Sequence, residues 1–180
     1  IRLLETRAGQ SGCFTPGTPL VGGVDTVQQG TTTCGNVTIP ATALALVGNA
    51  TTVLPAANGF ITLYPADVAT RPLAASGNYR ASTILNSPFT VGLSPSGQFK
   101  IFTVATTNLV IDVLGYYSTD AVDLNGAGLL FNPLPRPVRL LETRVGSPGC
   151  YTPGAPLAAG STRLQAAQGL CDGMTIAATA

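Results

Sequence analysis

The sequence predicts an all-β protein: an antiparallel β-sandwich or jelly-roll-like module followed by the start of a second copy. Three observations carry this. Apolar runs of strand length recur between turn signals, in a chain with 21 Gly and 14 Pro. Within those runs side-chain character alternates with period two, and β-branched residues are frequent. No window shows a 3.6-residue apolar stripe with capping residues, so helices are not expected. Many short strands at this spacing are the pattern of a sandwich or a closed barrel.

The elements follow in order. Arg2-Leu3-Leu4-Glu5-Thr6-Arg7 alternates charged and apolar positions, and reads as a strand end held in register by ion pairs from Glu5 to its flanking cations. Ala43–Val47 and Ala50–Leu54 read as two strands around Gly48-Asn49. Gly59–Tyr64 sets Phe60, Thr62 and Tyr64 against Ile61 and Leu63. Ser82–Leu85 and Phe89–Leu93 are split at Pro88. Gln98–Ala105 follows a Pro-Ser-Gly turn and carries Lys100, the single lysine, expected to face solvent and protect a sheet edge. Asn108–Tyr117 is the strongest strand, with Asp112 its only charge. An unpaired buried carboxylate is costly, so Asp112 is expected to face solvent or to accept hydrogen bonds from an arginine.

Residues 118–138 break the pattern. They are small and polar at first, with Asp120 and Asp123, and then Pro133, Pro135 and Pro137 alternate with Leu134 and Arg136. Alternating proline has no place in a central strand and favours an extended spacer. Leu129-Leu130-Phe131 is expected to dock on a module. The division is therefore a β-sandwich module at 1–117, a linker at 118–138 and a partial second repeat at 139–180.

Self-similarity fixes that division. Residues 2–20 read RLLETRAGQSGCFTPGTPL and residues 139–157 read RLLETRVGSPGCYTPGAPL, identical at 14 of 19 positions with an offset of 137. The register continues unbroken, with Cys34 on Cys171, Thr38 on Thr175 and Ile39 on Ile176. The second copy holds no counterpart of 44–117, so Leu140, Leu141, Leu164, Met174 and Ile176 are expected to need a partner surface, from continued chain or from a neighbouring copy.

RLLETR at the start, GFITLYPA in the middle and VIDVLGYY at the end together resemble a family of bacterial secreted tandem-repeat β-modules. Those modules run from an RLLDTR-like to a DVxGYY-like motif. The resemblance covers Arg2 to Tyr117 and restarts at Arg139, with Glu5 and Glu142 where the family more often has Asp. It implies an all-β extracellular module, often in tandem, and no catalytic activity.

The cysteines repeat their own spacing: Cys13 and Cys34 in the first copy, Cys150 and Cys171 in the second. The reading is one disulfide inside each copy, with cross-copy pairing or free thiols as alternatives. No C-x-x-C and no His accompany them, which argues against metal or redox use. Disulfides place the chain in an oxidising, extracellular or cell-surface setting.

Composition removes several classes. Charged residues make up 9% of the chain and net charge is +1, which provides no basic face for a nucleic acid. With no His, no His-based triad can form. The uncharged stretch between Asp25 and Asp67 is broken by Gly35, Pro40, Gly48, Pro55 and Gly59, so no piece reaches the roughly 20 apolar residues of a membrane span. No signal peptide opens the sequence, which starts inside the repeat, so a leader is expected upstream or removed. No activated nucleophile and no carboxylate pair can be assigned, so no catalytic residues, cofactor or metal are expected. Asp120, Asp123 and Asn125-Gly126 lack the spacing and the terminal Glu of a calcium loop, and read as a solvated turn.

What remains is an interaction protein. Near-zero net charge favours association, and the expected function is a structural repeat subunit of an extracellular filament or surface array, assembling head to tail with copies of itself. The alternative is a tandem carbohydrate-binding or adhesion module, which the absence of Trp and the scatter of the five Tyr disfavour. Asn36 and Asn49 begin N-x-T sequons, and Thr31, Thr32 and Thr33 cluster; these are the candidate glycan acceptors that would hydrate so uncharged a surface.

Overall fold

The computed structural model describes residues 1–118, 139–171 and 174–176. The chain forms two compact units, Ile1–Gly128 and Leu129–Ala180. Apart from Ser118, the expected linker lies outside the described residues, as do Asp120, Asp123 and Leu129–Phe131.

The first unit is an antiparallel β-sandwich, as the alternating pattern predicts. Its strands are β1 (Arg2–Glu5), β2 (Asp25–Gln29), β3 (Thr32–Cys34), β4 (Val37–Ile39), β5 (Ala43–Val53), β6 (Gly59–Pro65), β7 (Gly77–Tyr79), β8 (Ile84–Gly92), β9 (Gln98–Thr103) and β10 (Asn108–Ser118). One sheet has the order β1-β10-β5-β8, the other β2-β9-β6-β7, and β3-β4 is a separate hairpin. Inward positions of both sheets form one core, in which Leu3, Leu46, Phe99, Ile101, Leu109 and Ile111 are fully buried. Burial alternates along β5, where Leu46, Gly48, Ala50 and Thr52 are buried, whereas Ile61–Tyr64 of β6 are all buried because both faces are covered.

Three local expectations are corrected by sheet position. Gly48-Asn49 is not a turn: β5 runs through it as one strand, pairing with β10 on one side and β8 on the other. Glycine stands there because a Cβ would collide with the Asp112 carbonyl, with the Phe89 ring also only 3.1 Å away. Pro88 does not split its strand; it lies inside β8, opposite Asn49. Because β8 ends its sheet, no ladder hydrogen bond is lost on its outer side. Lys100 does not protect an edge, since β9 is internal, between β2 and β6. It is half-buried and donates to the Val68 carbonyl at 3.0 Å.

The second unit contains β11 (Gly169–Cys171) and β12 (Met174–Ile176), an antiparallel hairpin. It also has a parallel bridge between Leu141 and Tyr151, the counterpart of the Leu4–Phe14 bridge.

Candidate functional site

The repeated opening motif is the most structured constellation in the chain. In the first copy, three backbone hydrogen bonds tie β1 to the following loop: Glu5 N to Phe14 O at 2.9 Å, Cys13 N to Arg2 O at 3.0 Å and Phe14 N to Leu3 O at 2.9 Å. Cys13 is bonded to Cys34 across a Cα separation of 5.5 Å, which fastens the β3-β4 hairpin to the start of the module. Glu5 has no solvent exposure. Its Oε1 accepts from the backbone N–H and Nε of Arg7 at 3.0 and 2.9 Å, and its Oε2 from Arg7 Nη2 at 2.6 Å and Arg2 Nη1 at 3.4 Å. The Arg7 guanidinium holds the Glu5 carboxyl below its ordinary value, against burial, which pushes it up. Arg2 also donates to Asp112 Oδ1 at 3.1 Å. Asp112 is therefore half-exposed and paired with an arginine, as its cost of burial requires.

β1 is fixed on its other side by β10. Thr6 is fully buried; its Oγ1 donates to Asn108 Oδ1 at 3.1 Å and accepts from Leu109 N–H at 2.8 Å.

The second copy rebuilds the motif. Glu142 N donates to Tyr151 O at 3.0 Å, Cys150 N to Arg139 O at 3.0 Å and Tyr151 N to Leu140 O at 2.9 Å. Cys150 is bonded to Cys171, with a Cα separation of 5.4 Å. Glu142 accepts from Arg144 at 2.9, 2.9 and 2.6 Å and from Arg139 at 3.2 Å. Its carboxyl is lowered to about 2, chiefly by the hydrogen bond from the Arg144 side chain. What changes is cover. Leu3 and Leu4 are buried, whereas Leu140 and Leu141 are half-buried. Leu20 is 7% exposed and its counterpart Leu157 is 55% exposed. Among the described residues of this unit nothing takes the place of β10. Leu164 is 99% exposed, but its counterpart Val27 is itself 52% exposed, so that position is outside the core in both copies. Cys171 is buried.

The glycan-acceptor candidates fall in different settings. Asn36 sits exposed in the β3-β4 turn, beside Gly35, whose φ is 59°. Thr32 and Thr33 lie in β3, and Thr33 shares a hydroxyl hydrogen bond with Thr38 at 3.1 Å. Thr31 accepts from Gln29 Nε2 at 2.7 Å. Asn49 is half-buried in central β5, between Asp112 and Pro88.

One cluster had no signature in the sequence. Residues 66–76 strap the outer face of the second sheet. Arg71 lies 3.4 Å above the Phe102 ring centroid, and Thr62 Oγ1 donates to Ala74 O at 3.1 Å. Under the strap Tyr64 is buried, and its hydroxyl is pushed up to about 12 by burial, with Asp25 adding to the shift. Only sheet pairing brings Asp25, Tyr64 and Phe102 together, so sequence spacing gives no hint of it.

Among the described residues no group of His, Cys, Asp or Glu could hold a metal ion, and no helix is long and apolar enough to cross a membrane. The chain matches no protein-family model, no curated protein and no solved structure. Two disulfides in one small chain fit an oxidising compartment.

Proposed function

We propose that this chain is a structural repeat subunit of an extracellular filament or cell-surface array, assembling head to tail, and that it is not an enzyme. The observation that carries the proposal is the second copy of the opening motif. It keeps its hydrogen bonds, ion pairs and disulfide, yet leaves apolar positions uncovered whose counterparts in the first copy are core. A preformed motif with an uncovered apolar face is suited to being completed by another module. Low net charge leaves little repulsion between such modules, and a contact that repeats without closing generates a filament.

Electron microscopy and light scattering of the purified protein over a concentration series test this. Regular filaments or arrays with a single axial repeat are expected. A monodisperse monomer at every concentration would overturn the reading.

A further inference from the structure

The first unit carries a cleft outside the repeated opening motif. The edge strands β7 and β8 face each other across the two sheets. They nearly touch, since a Cβ on Gly77 would lie 2.8 Å from the Ser87 Cβ. Beyond that contact they open into a cleft of about 620 Å³, lined by Asn58, Asn78, Arg80, Thr83, Ile84 and Leu85 among others.

Arg80 is the decisive residue. It is exposed, and among the described residues it is the one cation whose side chain makes no ion pair, hydrogen bond or ring contact. The Asn78 amide is equally uncommitted. Asn58 Oδ1 accepts from the Ala81 N–H at 2.9 Å, which orients its amide and leaves the NH₂ group unused. Thr83 Oγ1 donates to Arg80 O at 2.7 Å and keeps its lone pairs. The rim is held in a conformation that side chains rarely adopt: Leu54 and Ser82 have φ of 50° and 56°. They are locked together by Leu54 N to Thr83 O and Ser82 N to Pro55 O, both 2.9 Å. Strain of this kind is retained where the surroundings over-determine it, and it clusters at binding sites. Ile84 and Leu85 add an exposed apolar wall.

We infer that this cleft binds a carboxylate-bearing saccharide, a uronic-acid oligomer. The guanidinium fork matches a carboxylate bidentately. Two amides and a hydroxyl, each able to donate and accept, match ring hydroxyls. The aliphatic wall suits the C–H face of a pyranose, in place of the missing aromatic platform. A neutral sugar would leave Arg80 without a partner. A peptide strand added to the β8 edge at the cleft is disfavoured, because Gly77 packs on Ser87 and Pro88 follows, leaving only Ile84–Asn86 of β8 on the cleft side of that contact. The site is complete within one module and holds whether or not the protein forms filaments.

Isothermal titration of the full chain with trigalacturonate, its methyl ester and hexaglutamate tests the inference. The uronate is expected to bind, and its ester to bind at least tenfold more weakly. Arg80→Ala should lower uronate affinity roughly 10- to 100-fold, the range for losing a charge-assisted hydrogen bond. It should leave thermal unfolding unchanged, because the side chain has no partner to lose. Arg80→Lys should fall between the two, and Arg163→Ala in the second unit should have no effect. No uronate binding, equal binding of the ester, or insensitivity to Arg80→Ala would overturn the assignment. Hexaglutamate binding as tightly, with the same Arg80 dependence, would overturn the saccharide and make the ligand an acidic peptide.

Discussion

Replacing Glu5 by glutamine removes one charge from a position without solvent access and leaves the shape unchanged. The carboxylate accepts four hydrogen bonds, three from Arg7 and one from Arg2. An amide can accept on one side only, so its NH₂ group would face guanidinium donors. Breaking a buried ion pair costs roughly 3–5 kcal/mol. Here both arginines keep more than a third of their side chains in water, 41% and 36%, so screening reduces the expected loss to about 2–4 kcal/mol. Urea unfolding followed by tyrosine fluorescence reads this loss, since Tyr64, Tyr79, Tyr116 and Tyr117 all belong to the first unit. Acidity provides the internal control. The folded-state value of Glu5 lies below its ordinary value of 4.5, so its stabilisation is fully present above that pH and is lost as pH falls through the folded value. At low pH wild type and Glu5→Gln both carry a neutral side chain, and the gap between them should shrink. A difference under about 0.5 kcal/mol at pH 7, the size of an ordinary surface substitution, would refute the reasoning. So would a gap that stays constant on acidification.

Other perturbations have definite outcomes. Thr6→Val leaves the Leu109 N–H and Asn108 Oδ1 without their buried partner. It should cost about 1–3 kcal/mol by denaturant titration. Gly48→Ala forces the Asp112 carbonyl and the Phe89 ring away from β5. It should destabilise by about 1–3 kcal/mol, and a neutral effect would mean that β5 can shift freely. In a spectrophotometric titration one tyrosine, Tyr64, should resist ionisation up to about pH 12. Its contribution to stability is present below the ordinary value of 10.0 and is lost as pH rises towards 12; Asp25→Asn should bring the ionisation down.

The sequence by itself determined much of this protein. Alternation places Leu63 and Ile61 on the opposite face from Thr62 and Tyr64 in β6, because side chains of a strand point alternately to either side. The shared cysteine spacing gave the two pairings found, Cys13–Cys34 and Cys150–Cys171. The alternation in RLLETR gave the ion-paired Glu5 and Glu142, because those pairs form within a few residues. Sheet order was not legible. Gly48, Pro88 and Lys100 are each explained by which strand lies beside them, and no local pattern encodes a neighbour tens of residues away. The Arg80 cleft was hidden for the same reason, since Asn58, Asn78 and Arg80 meet only at the facing sheet edges. The two copies of RLLETR make the division plain. Arg2–Glu5 is a strand against β10, buried from Leu3 onward, whereas the identical residues 139–142 form only the bridge at Leu141. Identical side chains make the same short-range bonds in both places. A strand, unlike a helix, takes its hydrogen bonds and its cover from other parts of the fold, so its existence is decided only when those parts arrive.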